Sequence, residues 1–311
     1  MTHLAESPMG TATTPPTTTL ALRAPAPKAR RRTSSSPGDR PSVGIYIMIV
    51  IAIAIFGIPF IWIVLTALAT PQQLNDGVSG LLDLSSPVWS NFIDAVTKVD
   101  YLSYGANSLF LSIMTAVLTT FSSATVGFAF ARLRAPGKNA LFLLVVSTMM
   151  IPAMATLIPT YVLFARLGLV GTYWPWVLWG LAGAPFFIFL FRQFFSAVPR
   201  ELEDAAIMDG AGWIRSYFLV FLPLARPALL TVFLLSFTGA WGDYLAPALL
   251  LNMDNTTLAV ATTSMYADPR GNPLVPLQSA GAIIYMLPVI IVFLFGQRYF
   301  MSSAMGSSVK G

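Results

Sequence analysis

Few residues in this sequence are equipped for chemistry, and their scarcity is the first constraint. Among 311 residues there is no cysteine, and the single histidine is His3. Thiolate nucleophiles, disulfides, cysteine metal sites and histidine acid–base catalysis are therefore excluded. Nothing matches GxxxxGK[ST], so the chain has no P-loop with which to hydrolyse ATP. One ionisable side chain lies within an apolar run and away from its ends. It is Asp243, in Ser236-Phe-Thr-Gly-Ala-Trp-Gly-Asp-Tyr-Leu-Ala-Pro247. A carboxylate in such a run is a functional candidate by default. With Trp241 and Tyr244 beside it, Asp243 reads as lining a solute path or its outer gate. The alternative is a carboxylate close enough to the outer interface to stay hydrated. Alone it makes a poor proton relay, and it supplies neither a two-carboxylate pair nor a metal site.

The second candidate is a polar segment, Pro199 to Pro223, closed in by apolar runs on both sides. Pro199 suits a first helical position, and Glu201, Glu203 and Asp204 complement the positive end of a helix dipole. At 100° per residue, Leu202, Ala205, Ala206 and Asp209 share one narrow face, with Arg200, Glu203 and Asp204 largely opposite. Gly210 and Gly212 end that helix, residues 213–221 restart one, and Pro223 stops it. An interfacial helix lying on lipid would carry cationic flanks and bulky apolar residues on its buried face. This one is acidic and small-faced, which fits docking into a protein cleft.

The elements around these candidates are apolar. Hydrophobic residues make up 56% of the chain and charged ones 10%, and mean hydropathy is +0.71. Soluble domains carry about 25% charged residues, so the composition describes an all-α polytopic membrane protein. Residues 1–41, rich in Thr, Pro, Ala and Ser with a basic cluster at Lys28, Arg30, Arg31 and Arg32, read as a disordered cytoplasmic tail that touches anionic lipid. A signal peptide is disfavoured: the apolar run after the tail is longer than an h-region of ~7–15 residues and lacks a cleavage site. Six stretches are long enough to span the ~20-residue hydrocarbon core, at about 43–69, 105–131, 140–164, 174–195, 226–250 and 276–297. They form one membrane domain over 42–301, followed by a cytoplasmic tail at 302–311.

With the N-terminus inside and loops assigned alternately, only Lys98, Arg166 and Arg270 of the 18 Lys and Arg fall outside. The positive-inside rule then puts both termini and the Pro199–Pro223 segment in the cytoplasm. A net charge of +5 is thereby a topology signal, and no nucleic acid partner is expected. Pro59, Pro152, Pro159, Pro185, Pro247 and Pro288 sit in or near the spans and bend them, a matter of packing geometry before gating. Ser122, Ser123, Ala124, Gly127, Ala129, Ala131 and Gly180–Gly183 permit close helix approach.

The polar segment also carries a resemblance. Glu203-Asp204-Ala205-Ala206-(three residues)-Gly210-(nine residues)-Val220-Phe-Leu222-Pro223 resembles the EAA loop, EAA-x3-G-x9-I-x-LP, of membrane subunits of binding-protein-dependent ABC importers, with Asp204 at the Glu position and Val220 at the Ile position. Further stretches are similar to the carbohydrate-uptake permeases of the maltose-type G-subunit (MalG-like) kind. They are Asn107-Ser108, Ala131-Arg132-Leu133 with Pro136-Gly137-Lys138, Met150-Ile151-Pro152, Ile158-Pro159, Gln297-Arg298-Tyr299-Phe300 and the terminal Val309-Lys310-Gly311. Trp241-Gly242-Asp243-Tyr244 resembles that subunit's Trp-Asn-Glu-aromatic stretch, with Gly242 departing from the Asn. The tail lies outside the match.

The resemblance implies a six-helix type I importer permease in a prokaryotic cytoplasmic membrane, paired with a second, non-identical permease subunit. An ABC ATPase dimer would bind ATP and Mg, so this chain would bind no cofactor, and a solute-binding protein would deliver sugar from outside. Glu203, Asp204, Ala205, Ala206, Asp209, Gly210, Leu222 and Pro223 would couple to the ATPase, and Val309, Lys310 and Gly311 would reach its interface.

Overall fold

A computed structural model describes residues 42–306, with side chains described as far as Gly296. The expected tail at 1–41 and the terminal Val309–Gly311 lie outside the described residues. The described residues divide into two units after Ile51, and both candidate sites belong to the second. The described residues are helical and contain no strand, only an isolated bridge between Ala267 and Pro273.

In chain order the helices are α1 (Val43–Leu68), α2 (Pro71–Asn75), α3 (Val78–Leu81), α4 (Ser90–Thr97), α5 (Tyr101–Arg132), α6 (Lys138–Ser147), α7 (Ala153–Arg166) and α8 (Trp174–Ala182). Then come α9 (Pro185–Ala197), α10 (Arg200–Met208), α11 (Trp213–Ser216), α12 (Leu222–Leu224), α13 (Arg226–Trp241), α14 (Leu245–Leu250), α15 (Leu258–Ser264) and α16 (Val275–Gly306). The stretch between the first two apolar runs thus folds into three short helices. The first is closed by a capping box in which the Thr70 side chain accepts from the Gln73 amide while Gln73 reaches back to the Thr70 amide.

Four helical stretches are long and apolar enough to cross a membrane: Val43–Leu68, Tyr101–Arg132, Trp174–Ala197 and Val275–Gly296. Two further pairs qualify only as bent spans, Lys138–Met150 with Ala153–Arg166 at 100° and Trp213–Leu224 with Arg226–Trp241 at 77°. The described count is therefore four to six, where the hydropathy pattern predicts six spans. The first bend has a local cause. Ile151 precedes a proline and is driven into extended backbone (φ −82°, ψ 118°), and Pro152 follows at ψ 131°. The fourth expected span breaks at Gly183, whose φ of 73° is left-handed. The fifth is broken at Gly242–Tyr244, between α13 and α14. Pro59, Pro159 and Pro288 lie inside continuous helices. α16 runs past the expected domain boundary at 301.

Helix α5 is the axis of the second unit, and its residues enter three of the four apolar clusters. Ala124 and Phe128 pack with Phe191, Phe195, Tyr217 and Phe221. Ala116 joins Phe237 and Trp241, and Leu111 joins Phe164 and Trp176. Lipid tails are as apolar as leucine, so small residues that let backbones approach are what such packing needs. A Cβ on Gly127 would lie 2.6 Å from Phe191 Cβ, and one on Gly180 2.7 Å from Leu118 Cβ. Ser123 Oγ accepts the Ala184 amide at 3.1 Å, and Ser122 Oγ donates to Leu181 O at 2.5 Å. The small-residue stretches of α5 and of the α8–α9 break therefore meet each other. Gly127→Leu should lower the melting temperature of the detergent-solubilised protein by the equivalent of about 1–3 kcal/mol. Gly57→Ala, whose added carbon meets nothing within 4 Å, should not lower it. Equal melting of the two variants would remove the close α5–α9 approach.

Candidate functional site

The polar segment starts where Pro199 ends α9. Val198, the residue before the proline, is extended (φ −68°, ψ 131°), and Pro199 itself is non-helical (φ −55°, ψ 143°). The helix begins at Arg200, one residue later than the sequence pattern predicts, with Glu201 and Glu203 in its first turn. It ends in a Schellman motif: the Gly210 amide donates to Ile207 O and the Ala211 amide to Ala206 O, each at 2.9 Å. Gly210 sits at φ 76°, and the direction in which its side chain would point is open, with nothing within 4 Å.

One face assignment needs correction. Leu202, Ala205 and Asp209 are exposed together as expected, but Ala206 is turned inward and buried. Glu203, one turn earlier, faces the same way as Ala206. The reason is an ion pair: Arg132 Nη1 donates to Glu203 Oε2 at 3.0 Å, with side chains 5% and 16% exposed. This pulls the Glu203–Ala206 side of the helix onto the unit. The open face is then Leu202, Ala205, Met208 and Asp209, with Asp204 also exposed.

Arg132, at the C-terminal end of α5, holds more than Glu203. Its Nε donates to Phe195 O at 3.1 Å, and Nη2 donates to Phe195 O at 2.6 Å and to Val198 O. Val198 O lies past the end of α9, and Phe195 O otherwise accepts only the Val198 amide, at 3.3 Å, so the guanidinium completes what the helix end leaves weakly paired. Its guanidinium carbon stands 5.0 Å from the centroid of the Phe221 ring, within cation–π range. One planar cation thus joins α5, the end of α9, α10 and the segment after α11. In the sequence, Arg132 reads only as an inside charge and as part of Ala131-Arg132-Leu133. A guanidinium at the end of a long apolar helix, just before the Pro136-Gly137-Lys138 turn, is the signal that could have found it.

Pro223 does not stop the restarted helix, contrary to expectation. Residues Tyr217–Phe221 form a π-turn that runs into α12, with Pro223 in its first turn; the break comes at Ala225 (φ −82°, ψ 7°). The wider turn upstream accommodates a residue that has no amide to donate. Leu222 packs on the Phe128–Phe221 cluster, and Pro223 is exposed. Of the residues expected to couple, Glu203, Ala206 and Leu222 are turned inward, while Asp204, Ala205, Asp209, Gly210 and Pro223 remain on the surface.

The three residues of the expected solute path separate. Trp241 is buried, stacks on Phe237 and Tyr285 with centroids 5.9 and 5.4 Å away, and donates Nε1 to Tyr285 O at 3.2 Å; it is a packing residue. Tyr244 is exposed on a different cavity, shared with Asn252, Thr256 and Val260. Asp243 is half-buried in the α13–α14 break rather than inside a helix. Its Oδ1 accepts the Ala246 amide at 3.3 Å, and it borders two cavities of about 350 and 360 Å³. Asn107 and Ser108 are structural: Asn107 Nδ2 donates to Thr256 O at 3.1 Å and Ser108 Oγ accepts the Leu258 amide at 2.7 Å, fixing the start of α15. Among the described residues, no three His, Cys, Asp or Glu side chains come together to hold a metal.

Removing one partner of a buried ion pair costs about 3–5 kcal/mol, and Arg132 also satisfies two carbonyls. Arg132→Gln should therefore free α10 and speed tryptic cleavage after Arg200 and Arg215, which are already on the surface. Glu203→Gln, which keeps the carbonyl contacts, should do so less. Unchanged cleavage rates in Arg132→Gln would show that the guanidinium does not hold the segment.

Residues 123–303 match the family described as "Binding-protein-dependent transport system inner membrane component". The chain is 33% identical to the arabinooligosaccharides transport system permease protein AraQ of Halalkalibacterium halodurans over 83% of this chain and 92% of that protein. It is 30% identical to the maltodextrin transport system permease protein MdxG of Bacillus subtilis, over 83% of this chain and 94% of the relative. A chain in the crystal structure of a bacterial ABC transporter that imports the acidic polysaccharide alginate has the same fold, with a TM-score of 0.72, 24% identity, and 85% of this chain and all of that chain covered. The break-rich helices around α5 and the docked polar segment are therefore those of a transport permease, not an enzyme: this chain belongs to the binding-protein-dependent transport system inner membrane component family.

Proposed function

We propose that this protein is a permease subunit of an ATP-driven sugar importer in a prokaryotic cytoplasmic membrane. It crosses the membrane six times, the two bent pairs each counting as one span, with both termini and the Pro199–Pro223 segment in the cytoplasm. A second, non-identical permease supplies the other half of the pathway. An ATPase dimer that binds ATP and Mg docks on α10, and a solute-binding protein delivers the sugar from outside. The charge asymmetry supports the sidedness, and the sugar assignment rests on relatives named for arabinooligosaccharide and maltodextrin transport.

The observation that carries the coupling role is the way α10 is presented. Its inner side is fixed to α5 and α9 through Arg132, while Ala205, Asp209 and the open space over Gly210 stay free. A lever needs such an arrangement: a surface on which another protein can press, and a rigid connection that carries the displacement into the spans. In this reading Glu203, Ala206 and Leu222 act from the packed side, as the connection to the spans, and the terminal Val309, Lys310 and Gly311 reach the ATPase.

Two substitutions test it in the reconstituted transporter. Gly210→Val places a β-branched residue at a left-handed position and disrupts the turn beside the docking face. Asp204→Lys reverses an exposed charge on α10. Both should abolish ATP-driven sugar uptake while the protein still inserts; normal uptake in both would refute the coupling assignment. The purified chain alone in liposomes should pass no sugar, and ATP-independent flux would instead mark a stand-alone channel or carrier. Ligand analysis of the co-purifying binding protein checks the solute, and a non-sugar ligand would replace the sugar assignment.

A further inference from the structure

The cavity of about 360 Å³ beside Asp243 lies among α5, α8 and α13, and what lines it is specific. Ser236 Oγ and Thr115 Oγ1 are buried there without a hydrogen-bond partner, and Ser236 is 9% exposed. An unpaired buried hydroxyl is destabilising, and the cost disappears when a ligand completes the bond. The hydroxyls of Ser112, Thr120 and Thr257 are also unpaired but line neither cavity beside Asp243. Trp179 forms one wall and is backed by the buried Trp176, with ring centroids 5.7 Å apart and planes at 81°. Gly239 lies on the surface of the cavity, and a Cβ there would meet nothing within 4 Å. Packing therefore does not demand a glycine at 239, and its missing side chain leaves the space open. Trp179 and Asp243 also border the second cavity, of about 350 Å³, so the two share a wall.

We propose that this cleft, formed by Thr115, Thr119, Trp176, Trp179, Ser236 and Asp243, is a transient binding site for a sugar on this half of the translocation path. The inference rests on the permease reading above and adds where the solute touches this chain. A sugar ring has apolar C–H faces, which suit the indole of Trp179, and a rim of hydroxyls that both donate and accept. Ser236, Thr115 and Thr119 can do either, and Asp243 accepts. No Lys or Arg lines the cleft, so an anion finds no partner. The one carboxylate already accepts the Ala246 amide, so a cation finds only one weak counter-charge. Each cavity is at the lower end of the ~300–1,000 Å³ of ligand pockets, which fits a site that holds a solute briefly.

The natural absence of cysteine makes the test clean. Gly239→Cys puts a thiol in the cleft, and Phe295→Cys puts one on an exposed apolar helix surface. Each variant is assembled with its partner subunits in proteoliposomes, and labelling of this chain by a charged, water-soluble thiosulfonate is followed by mass. Maltotriose, lactose and arabinotriose serve as sugar probes and glycine betaine as the non-sugar. The Gly239→Cys thiol should react much faster than the Phe295→Cys thiol, and a transported sugar should slow it where glycine betaine does not. Adding Ser236→Ala or Thr115→Val should raise the sugar concentration that halves labelling by about three- to tenfold, the value of one hydrogen bond. A merely structural role for these hydroxyls would shift the melting temperature and leave that concentration unchanged. An unreactive Gly239→Cys thiol, or one that no transported sugar protects, overturns the site while uptake still upholds the importer. Uptake of glycine betaine and of no sugar overturns both.

Discussion

The structure depends on one side chain placed where four segments meet. A helix that stops leaves its last carbonyls weakly paired or unpaired, and α9 stops abruptly because Val198 cannot stay helical before Pro199. Arg132 reaches across from the last turn of α5 and takes the carbonyls of Phe195 and Val198. The same planar group still has a donor for Glu203 and a face for the Phe221 ring. A lysine could not do all of this, since it is a point charge without a fork. Each contact restrains the others, because the guanidinium is rigid and buried.

That geometry explains why the polar segment is so differently treated on its two sides. The inner side, at Glu203 and Ala206, is fixed to the long axial helix. The outer side, at Leu202, Ala205, Met208 and Asp209, is left for something else. Further along, the π-turn at Tyr217–Phe221 and the 77° bend before α13 connect the segment to the helix bearing Ser236 and Gly239. The proposed docking surface and the cleft at Asp243 thus lie at opposite ends of one continuous run, Pro199 to Asp243. A displacement at α10 has a short covalent path to the cleft, as well as the packed one through α5.

The breaks in the helices belong to the same logic. Irregular backbone at membrane depth is tolerated where protein or a water-filled cavity surrounds it. The break at Gly183 is covered by α5, with Ser123 accepting the Ala184 amide. The break at Gly242–Tyr244 instead opens beside two cavities. The first is closed by packing, and the second borders open space. An apolar run in sequence gives no hint of this difference, because hydropathy averages over a break of two or three residues.

What the sequence determined by itself was class, the location of the special segment and most of its grammar. Composition alone demanded helices, the prolines and glycines marked nearly every break, and the acidic, alanine-rich stretch at 201–210 announced a helix closed by Gly210. The small residues of α5 were legible as contact points because only close approach requires them. What only the tertiary structure decided was orientation and partnership. Periodicity places Ala206 with Leu202 and Ala205 on one outward face, but an ion pair between residues 71 positions apart turns Ala206 and Glu203 inward. Trp241 beside Asp243 reads as part of a path in the sequence and is stacked in the core of the fold, while Ser236, Thr115 and the tryptophans of α8 form the wall. Local sequence sets which backbone states a residue can adopt; which neighbour it meets is set by contacts between helices far apart in the chain, and no local pattern contains them.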